Sequence, residues 1–165
     1  MAREIEEIIE TTEDTQKGKF LTFAVEENYG IEIKDVTEII GIQEITNMPE
    51  LPSYVKGIIN LRGKIIPVMD VRLRFKKHPI EYNDRTCIIV IDIKDISIGL
   101  IVDNVSEVLS INDDNIVPPP EAISGFHNRY VKGIGKVGNE VKLLLDCNKL
   151  INEEELEDIV SSIVK

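Results

Sequence analysis

Histidine is the side chain most often recruited for proton transfer near neutral pH or for holding a transition metal, and this chain has two, His78 and His127. Neither has cysteine, histidine or carboxylate companions at ligand spacing. His78 precedes Pro79 in a basic stretch and His127 falls in a loop, so both read as solvated side chains. The run Ser124-Gly125-Phe126-His127 lacks the strand–elbow–helix setting that exposes a nucleophilic serine. Gly57 and Gly63 flank Arg62 with no Lys-Ser or Lys-Thr after them, so they form no phosphate cradle. Asp70 and Asp146 make a dyad on paper, but at the ends of matching apolar runs they read as helix caps or turn formers. Cys87 and Cys147 sit in apolar, strand-like contexts and read as reduced, buried thiols. Arg72, Arg74, Lys76 and Lys77 form the one basic cluster. With only Phe75 nearby, it reads as the solvent face of a short helix or linker and not as a nucleic-acid platform. The sequence therefore predicts no catalytic constellation, no metal site and no cofactor.

The elements that must carry these residues follow from composition. The chain has 165 residues, of which Ile and Val make up 43 and Leu and Ala only 14. Branched side chains lose rotamer freedom in helices and fit pleated sheets, so a helical bundle is disfavoured. A chain this long buries enough surface to fold without disulfides or metals. The net charge is −11, which argues against nucleic acid or an anionic membrane as partner, since phosphate affinity needs clustered cations. No apolar run is long enough to cross a bilayer. The first residues lack a signal peptide's apolar stretch, so a cytoplasmic location is expected. Residues 1–17 carry six acids and two bases, and 152–165 carry five acids and one base. The first stretch has too little apolar surface to offset its ordering entropy and reads as a flexible acidic tail. The second opens with Asn152 and Glu155 at capping-box spacing and continues with Leu156, Ile159, Val160 and Ile163 on one helical face. It predicts an amphipathic C-terminal helix.

Between the tails the sequence repeats itself. Residues 30–40 match 99–109 with the same apolar positions, and Thr37-Glu38 answers Ser106-Glu107. Tyr54-Val55-Lys56-Gly57-Ile58 recurs letter for letter at Tyr130-Val131-Lys132-Gly133-Ile134, and Asp70 is answered by Asp146. The simplest account is one duplicated unit, giving a domain over 18–151 with subdomains at about 18–80 and 84–151. Strands are predicted over 20–26, 30–33, 39–45, 55–61 and 64–69, and again over 86–93, 96–102, 108–111, 131–137 and 141–145, separated by turn chemistry. Strands this short and evenly spaced suggest small barrels, which remove exposed edges. Cys87-Ile88-Ile89-Val90-Ile91 is apolar without alternation, so it is covered on both faces and the two barrels share an interface. Pro118-Pro119-Pro120 marks an extended connection. The segments at Val36 and Val105 occupy similar settings and either flank a groove for a partner helix or are ordinary core. Both readings stand on pattern alone.

The run Gly57-Ile58-Ile59-Asn60-Leu61-Arg62-Gly63-Lys64-Ile65-Ile66-Pro67-Val68-Met69-Asp70, with Tyr29-Gly30-Ile31 upstream and Pro118-Pro119-Pro120-Glu121 downstream, closely resembles the CheW family of bacterial chemotaxis coupling proteins. The resemblance implies an all-β fold of two pseudo-symmetric five-stranded SH3-like barrels sharing an apolar interface, with no enzymatic activity. It implies two partners, the cytoplasmic tip of methyl-accepting chemoreceptors and the regulatory domain of the histidine kinase CheA, with the protein a monomer when free and recruited to membrane receptor arrays. Carried over by position, receptor binding would use Ile33, Val36, Glu38, Ile39, Arg62, Val102, Val105 and Val108. Kinase binding would use Lys56, Gly57 and Glu121, with Ala122 a departure where relatives often carry an aromatic. The coupling domain of a CheV-like protein, a small-ligand or hydrolytic barrel, and an RNA-binding barrel are the alternatives. The first would need room for a receiver domain, the second a convergent polar pocket, and the third a basic surface.

Overall fold

The computed structural model describes residues 5, 17–119 and 127–164. The strands are β1 (Lys19–Val25), β2 (Glu27–Glu32), β3 (Val36–Gly41), β4 (Val55–Leu61), β5 (Lys64–Asp70), β6 (Cys87–Ile93), β7 (Ile96–Val102), β8 (Asn104–Ser110), β9 (Ile116–Val117), β10 (Val131–Val137) and β11 (Glu140–Leu145). The helices are α1 (Val71–Arg74), α2 (His127–Tyr130), α3 (Cys147–Leu150) and the longer α4 (Glu153–Val164). Most of the flexible-tail expectation lies outside the described residues, although Ile5 is buried in the central core. Asp70 and Asp146 cap α1 and α3, accepting from the backbone N–H of Leu73 and Asn148.

The strands form two sheets, ordered β8-β1-β2-β11-β10-β9 and β3-β6-β7-β5-β4. Each sheet closes on itself in the same way. The chain leaving β3 bonds back to β4 through Thr46, whose N–H and C=O both pair with Ile58 at 2.9 Å. The chain leaving β8 pairs as β9 with Ile134 and Gly135 of β10. The result is the pair of small barrels expected, but their membership corrects the division at 18–80 and 84–151. The β1–β2 hairpin of the first repeat joins the second repeat's strands, and β6–β7 of the second joins the first. Parallel pairings seal the exchange, Leu143 and Leu144 opposite Tyr29 and Gly30, and Val68 to Asp70 opposite Gly99 to Ile101. Pattern reveals the repeat, but it cannot reveal which copy of a hairpin a sheet recruits.

The exchange explains the core. Ile89, Ile91 and Ile93 point into a large cluster between the sheets, together with Leu21, Phe23 and Leu100, while Ile88 and Val90 fill the five-stranded barrel. A strand with both faces covered has no need to alternate. Phe23, Tyr29, Phe75 and Tyr130 run through the centre as a chain of ring contacts with centroids 5.3–5.9 Å apart.

Gly57 is fixed by barrel closure. It has φ +148°, and a Cβ there would lie 2.1 Å from the carbonyl oxygen of Thr46. At the equivalent Gly133, a Cβ would meet the Ile116 side chain at 2.9 Å. Side chains yield more readily than hydrogen-bonded backbone. Gly57→Ala is therefore expected to cost about 2–3 kcal/mol and Gly133→Ala less, as read from urea midpoints of the two variants.

The basic cluster departs from the expectation of a solvent-facing linker. Arg72 grips Asp103 with two bonds of 2.7 Å and reaches the carboxylate of Glu26 and the carbonyl of His78. Lys77 is paired with Glu26 and Glu27. Arg74 lies over the rings of both repeat-equivalent tyrosines, Tyr54 and Tyr130, and donates to Glu155 and to the carbonyl of Leu150. Glu155 also accepts from the Tyr54 hydroxyl at 2.6 Å and closes the capping box with Asn152. Burial alone would raise the Glu155 carboxyl's pKa, but these donors outweigh it and hold the pKa below the usual range. The predicted helix α4 is thus pinned to the body by polar contacts as well as by Leu156 and Ile159.

Candidate functional site

Two β-bulges set the geometry of the candidate docking surface. In β3, Val36 faces Ile91 and Glu38 faces Val90, so Thr37 is the extra residue. In β8, Val105 faces Phe23 and Val108 faces Leu21, again with one residue extra. A bulge shifts the side-chain alternation by one. Val36 and Ile39, like Val105 and Val108, therefore share a face although they stand three apart. All four turn toward the central core, Val36 as part of it and the other three half-buried against its rim. Period-two reading missed this: it began the strands at 39 and 108, beyond the bulges.

The two rims meet at Cys87. It pairs with Gly41 across the β3–β6 ladder, its thiol donates to the carbonyl of Arg85 at 3.3 Å, and the backbone of Val105 lies beside the sulfur. Burial, the larger influence, raises the thiol's pKa. Ile39, Cys87, Val105 and Val108 thus form one half-buried apolar strip between the edge strand of one sheet and the edge strand of the other. Sequence reading left Cys87 out of this strip, and the only signal for it was its place opposite the end of β3.

Glu38 lies on the other face of β3. It forms an ion pair with Arg62, whose side chain is 71% exposed. Arg62 and Gly63 turn the chain between β4 and β5 with φ +52° and +86°, and Asn60 accepts from the N–H of Gly63 at 2.8 Å. The pair borders a shallow recess of about 370 Å³ lined by Thr37, Ile66 and Val90. An exposed pair of this kind adds little to stability and can exchange partners freely.

Three of the receptor residues suggested by resemblance offer no surface. Ile33, Val36 and Val102 are 0%, 4% and 2% exposed and belong to the central core, so a partner could reach them only by unfolding the protein. Among the kinase residues, Gly57 is buried against Thr46, Lys56 is half-buried on β4, and Glu121 lies outside the described residues, as does Ala122. The surface instead offers a feature that sequence reading did not single out. Ile65 and Val141, repeat equivalents on β5 and β11, stand 47% and 56% exposed.

The CheW-like domain family matches residues 19–155. Among curated proteins, the chemotaxis protein CheW of Klebsiella aerogenes is 35% identical over 153 residues, covering 92% of this chain and 92% of that one. That of Bacillus subtilis is 31% identical over 151 residues, covering 91% and 97%. Among solved structures, a scaffolding protein CheW from Thermoanaerobacter tengcongensis superposes with a TM-score of 0.76 at 37% identity, covering 84% of this chain and 94% of that one.

Proposed function

We propose, from the premise that this chain belongs to the CheW family, that it joins methyl-accepting chemoreceptors to the histidine kinase CheA and performs no chemistry itself. The chain is a chemotaxis scaffold protein of the two-barrel type. The observation that carries the receptor half of the proposal is the apolar strip of Ile39, Cys87, Val105 and Val108 between two edge strands, with Glu38 and Arg62 on the far side of β3. A helical hairpin tip carries an apolar stripe flanked by polar side chains, which suits an apolar strip bounded by an edge strand whose other face carries a charged pair. Ile65 and Val141 support the kinase half. Two exposed branched side chains at equivalent positions suit a partner that is itself built as two such barrels. Lys56 lies near the first of them in sequence and stays within the proposed kinase face, while Gly57 contributes there only by holding β4 in place.

Coupling is then a population shift. A receptor state that binds the strip more tightly changes the kinase equilibrium by no more than its differential affinity, transmitted through a body whose two barrels share one core. Small contacts made together supply the avidity of the assembly. No described helix is long and apolar enough to cross a membrane. The proposal has the protein in the cytoplasm, a monomer until receptors recruit it.

Arg62→Ala tests the receptor half. Capture by an immobilised receptor cytoplasmic fragment is expected to fall several-fold while stability changes by no more than about 0.5 kcal/mol, because the lost pair is exposed. Unchanged capture, or a melting curve that falls with it, would remove Arg62 from the seat.

A further inference from the structure

The chain crosses between the two sheets at two repeat-equivalent places, after β2 and after β7, and the two are not held alike. At the second crossing Arg72 grips Asp103 with two bonds of 2.7 Å, and the carboxylate also accepts from the N–H of Glu26. At the first crossing, the turn Ile33–Asp35 between β2 and β3, neither member of that clamp is present. Lys34 stands where the repeat has Asp103. Asn148, two residues after the cap Asp146, stands where Arg72 follows Asp70, and it is exposed. What occupies this crossing instead is the half-buried carboxylate of Asp35. Among the described residues that carboxylate has no hydrogen bond and no ion pair. The charged groups acting on it are Glu32 of β2, Lys34 of its own turn, Lys132 of β10 and Asp146 at the head of α3. The buried thiol of Cys147 belongs to the same cluster. Both lysines bond to Glu32, and Asp146 accepts from the N–H of Asn148. Asp35 is the carboxylate left over. Burial first, and then Glu32, push its pKa above the ordinary value.

We infer that the first crossing is an acid-tightened joint: with Asp35 ionised the seam between this turn and α3 is loosened, and with Asp35 protonated it closes. The second crossing, locked by Arg72, does not respond. The sign follows from linkage. A carboxyl that is harder to ionise in the folded chain than in the unfolded one gives its full stability below the ordinary aspartate value of 3.8, and loses it as pH rises through the raised folded value. Asparagine at position 35 is therefore the permanently tightened state. The joint leads directly into Val36 and β3, so one wall of the apolar strip is carried on a seam that responds to protons and the other on a seam that does not. The inference concerns the free chain, and it stands or fails independently of what docks on the strip.

The test uses the full chain and its Asp35→Asn variant, read by urea denaturation and by amide hydrogen exchange. At neutral pH the variant's folding constant is expected to exceed that of the wild type by about threefold, short of the tenfold of a whole pKa unit because the carboxyl is only half buried. The gap is expected to narrow as pH is lowered toward 3.8. Amide exchange over 33–36 is expected to slow in the variant more than exchange over 104–107. In the wild type, an NMR titration of the Asp35 carboxyl carbon is expected to give a midpoint above 3.8. A variant no more stable than the wild type, a gap that pH leaves unchanged, or exchange slowed equally at both crossings would overturn the inference. A carboxyl midpoint at or below 3.8 would overturn it too, and that measurement decides the matter even if the variant fails to fold.

Discussion

Separated at the loop before β6, neither half of this protein is expected to fold, whereas the two halves mixed together are expected to recover the native far-ultraviolet spectrum. Residues 1–82 would contain β3, β4 and β5 without the β6–β7 hairpin that joins β3 to β5, and a β1–β2 hairpin with no sheet to enter. An isolated hairpin is marginal at best in water. The second half cannot substitute its own hairpin for the missing one. Only Asp103 stands between β7 and β8, and two residue steps span about 7 Å. Crossing a strand to reach the far side of the hairpin would require two strand spacings, about 9.6 Å. Circular dichroism of each half and of the mixture reads the outcome. A cooperative melt from either half alone would mean that the exchange is optional.

Arg72→Ala is expected to destabilise the protein by about 3–5 kcal/mol. Its side chain is 10% exposed and that of its partner Asp103 is 18% exposed. Asp103 is the residue at which the chain passes from one sheet to the other, and its N–H bonds to the carbonyl of Ala24. Alanine would leave that carboxylate enclosed without its cation, and the two guanidinium bonds at 2.7 Å would have no replacement. Arg72→Lys is expected to recover only part of the loss, because one ammonium cannot make the paired contact. Removing both partners with Arg72→Met and Asp103→Leu is expected to cost much less than either single change. Urea denaturation of the wild type, the single variants and the double variant checks the order. A loss under about 1 kcal/mol for Arg72→Ala would mark the pair as an ordinary surface contact.

Much of this was legible in the residues. Ile and Val content, the doubled Tyr-Val-Lys-Gly-Ile run and the capped C-terminal helix each follow from local chemistry, and local chemistry is what a sequence displays. The hairpin exchange was not legible because both copies carry compatible patterns, and the choice between them rests on the short Asp103 connection and on packing across sheets. The bulges were missed for a related reason. Val-Thr-Glu-Ile and Val-Ser-Glu-Val break period two, and only the register against β6 and β1 reveals that one residue in each is extra. Arg72 and Lys77 looked solvent-facing because their acidic partners lie far away in sequence, at Glu26, Glu27 and Asp103. At the candidate site, resemblance pointed to β3 but could not separate Ile39, half-buried at the rim of the core, from Val36, which is sealed within it.

Co-sedimentation of the purified chain with a receptor cytoplasmic fragment and CheA tests the scaffold reading most directly. The chain is expected to enter the pellet and to raise the amount of kinase found there, with Val108→Asp in the strip and Ile65→Asp on β5 each losing one of the two partners. A pellet in which kinase recovery is the same with and without the chain would contradict the account.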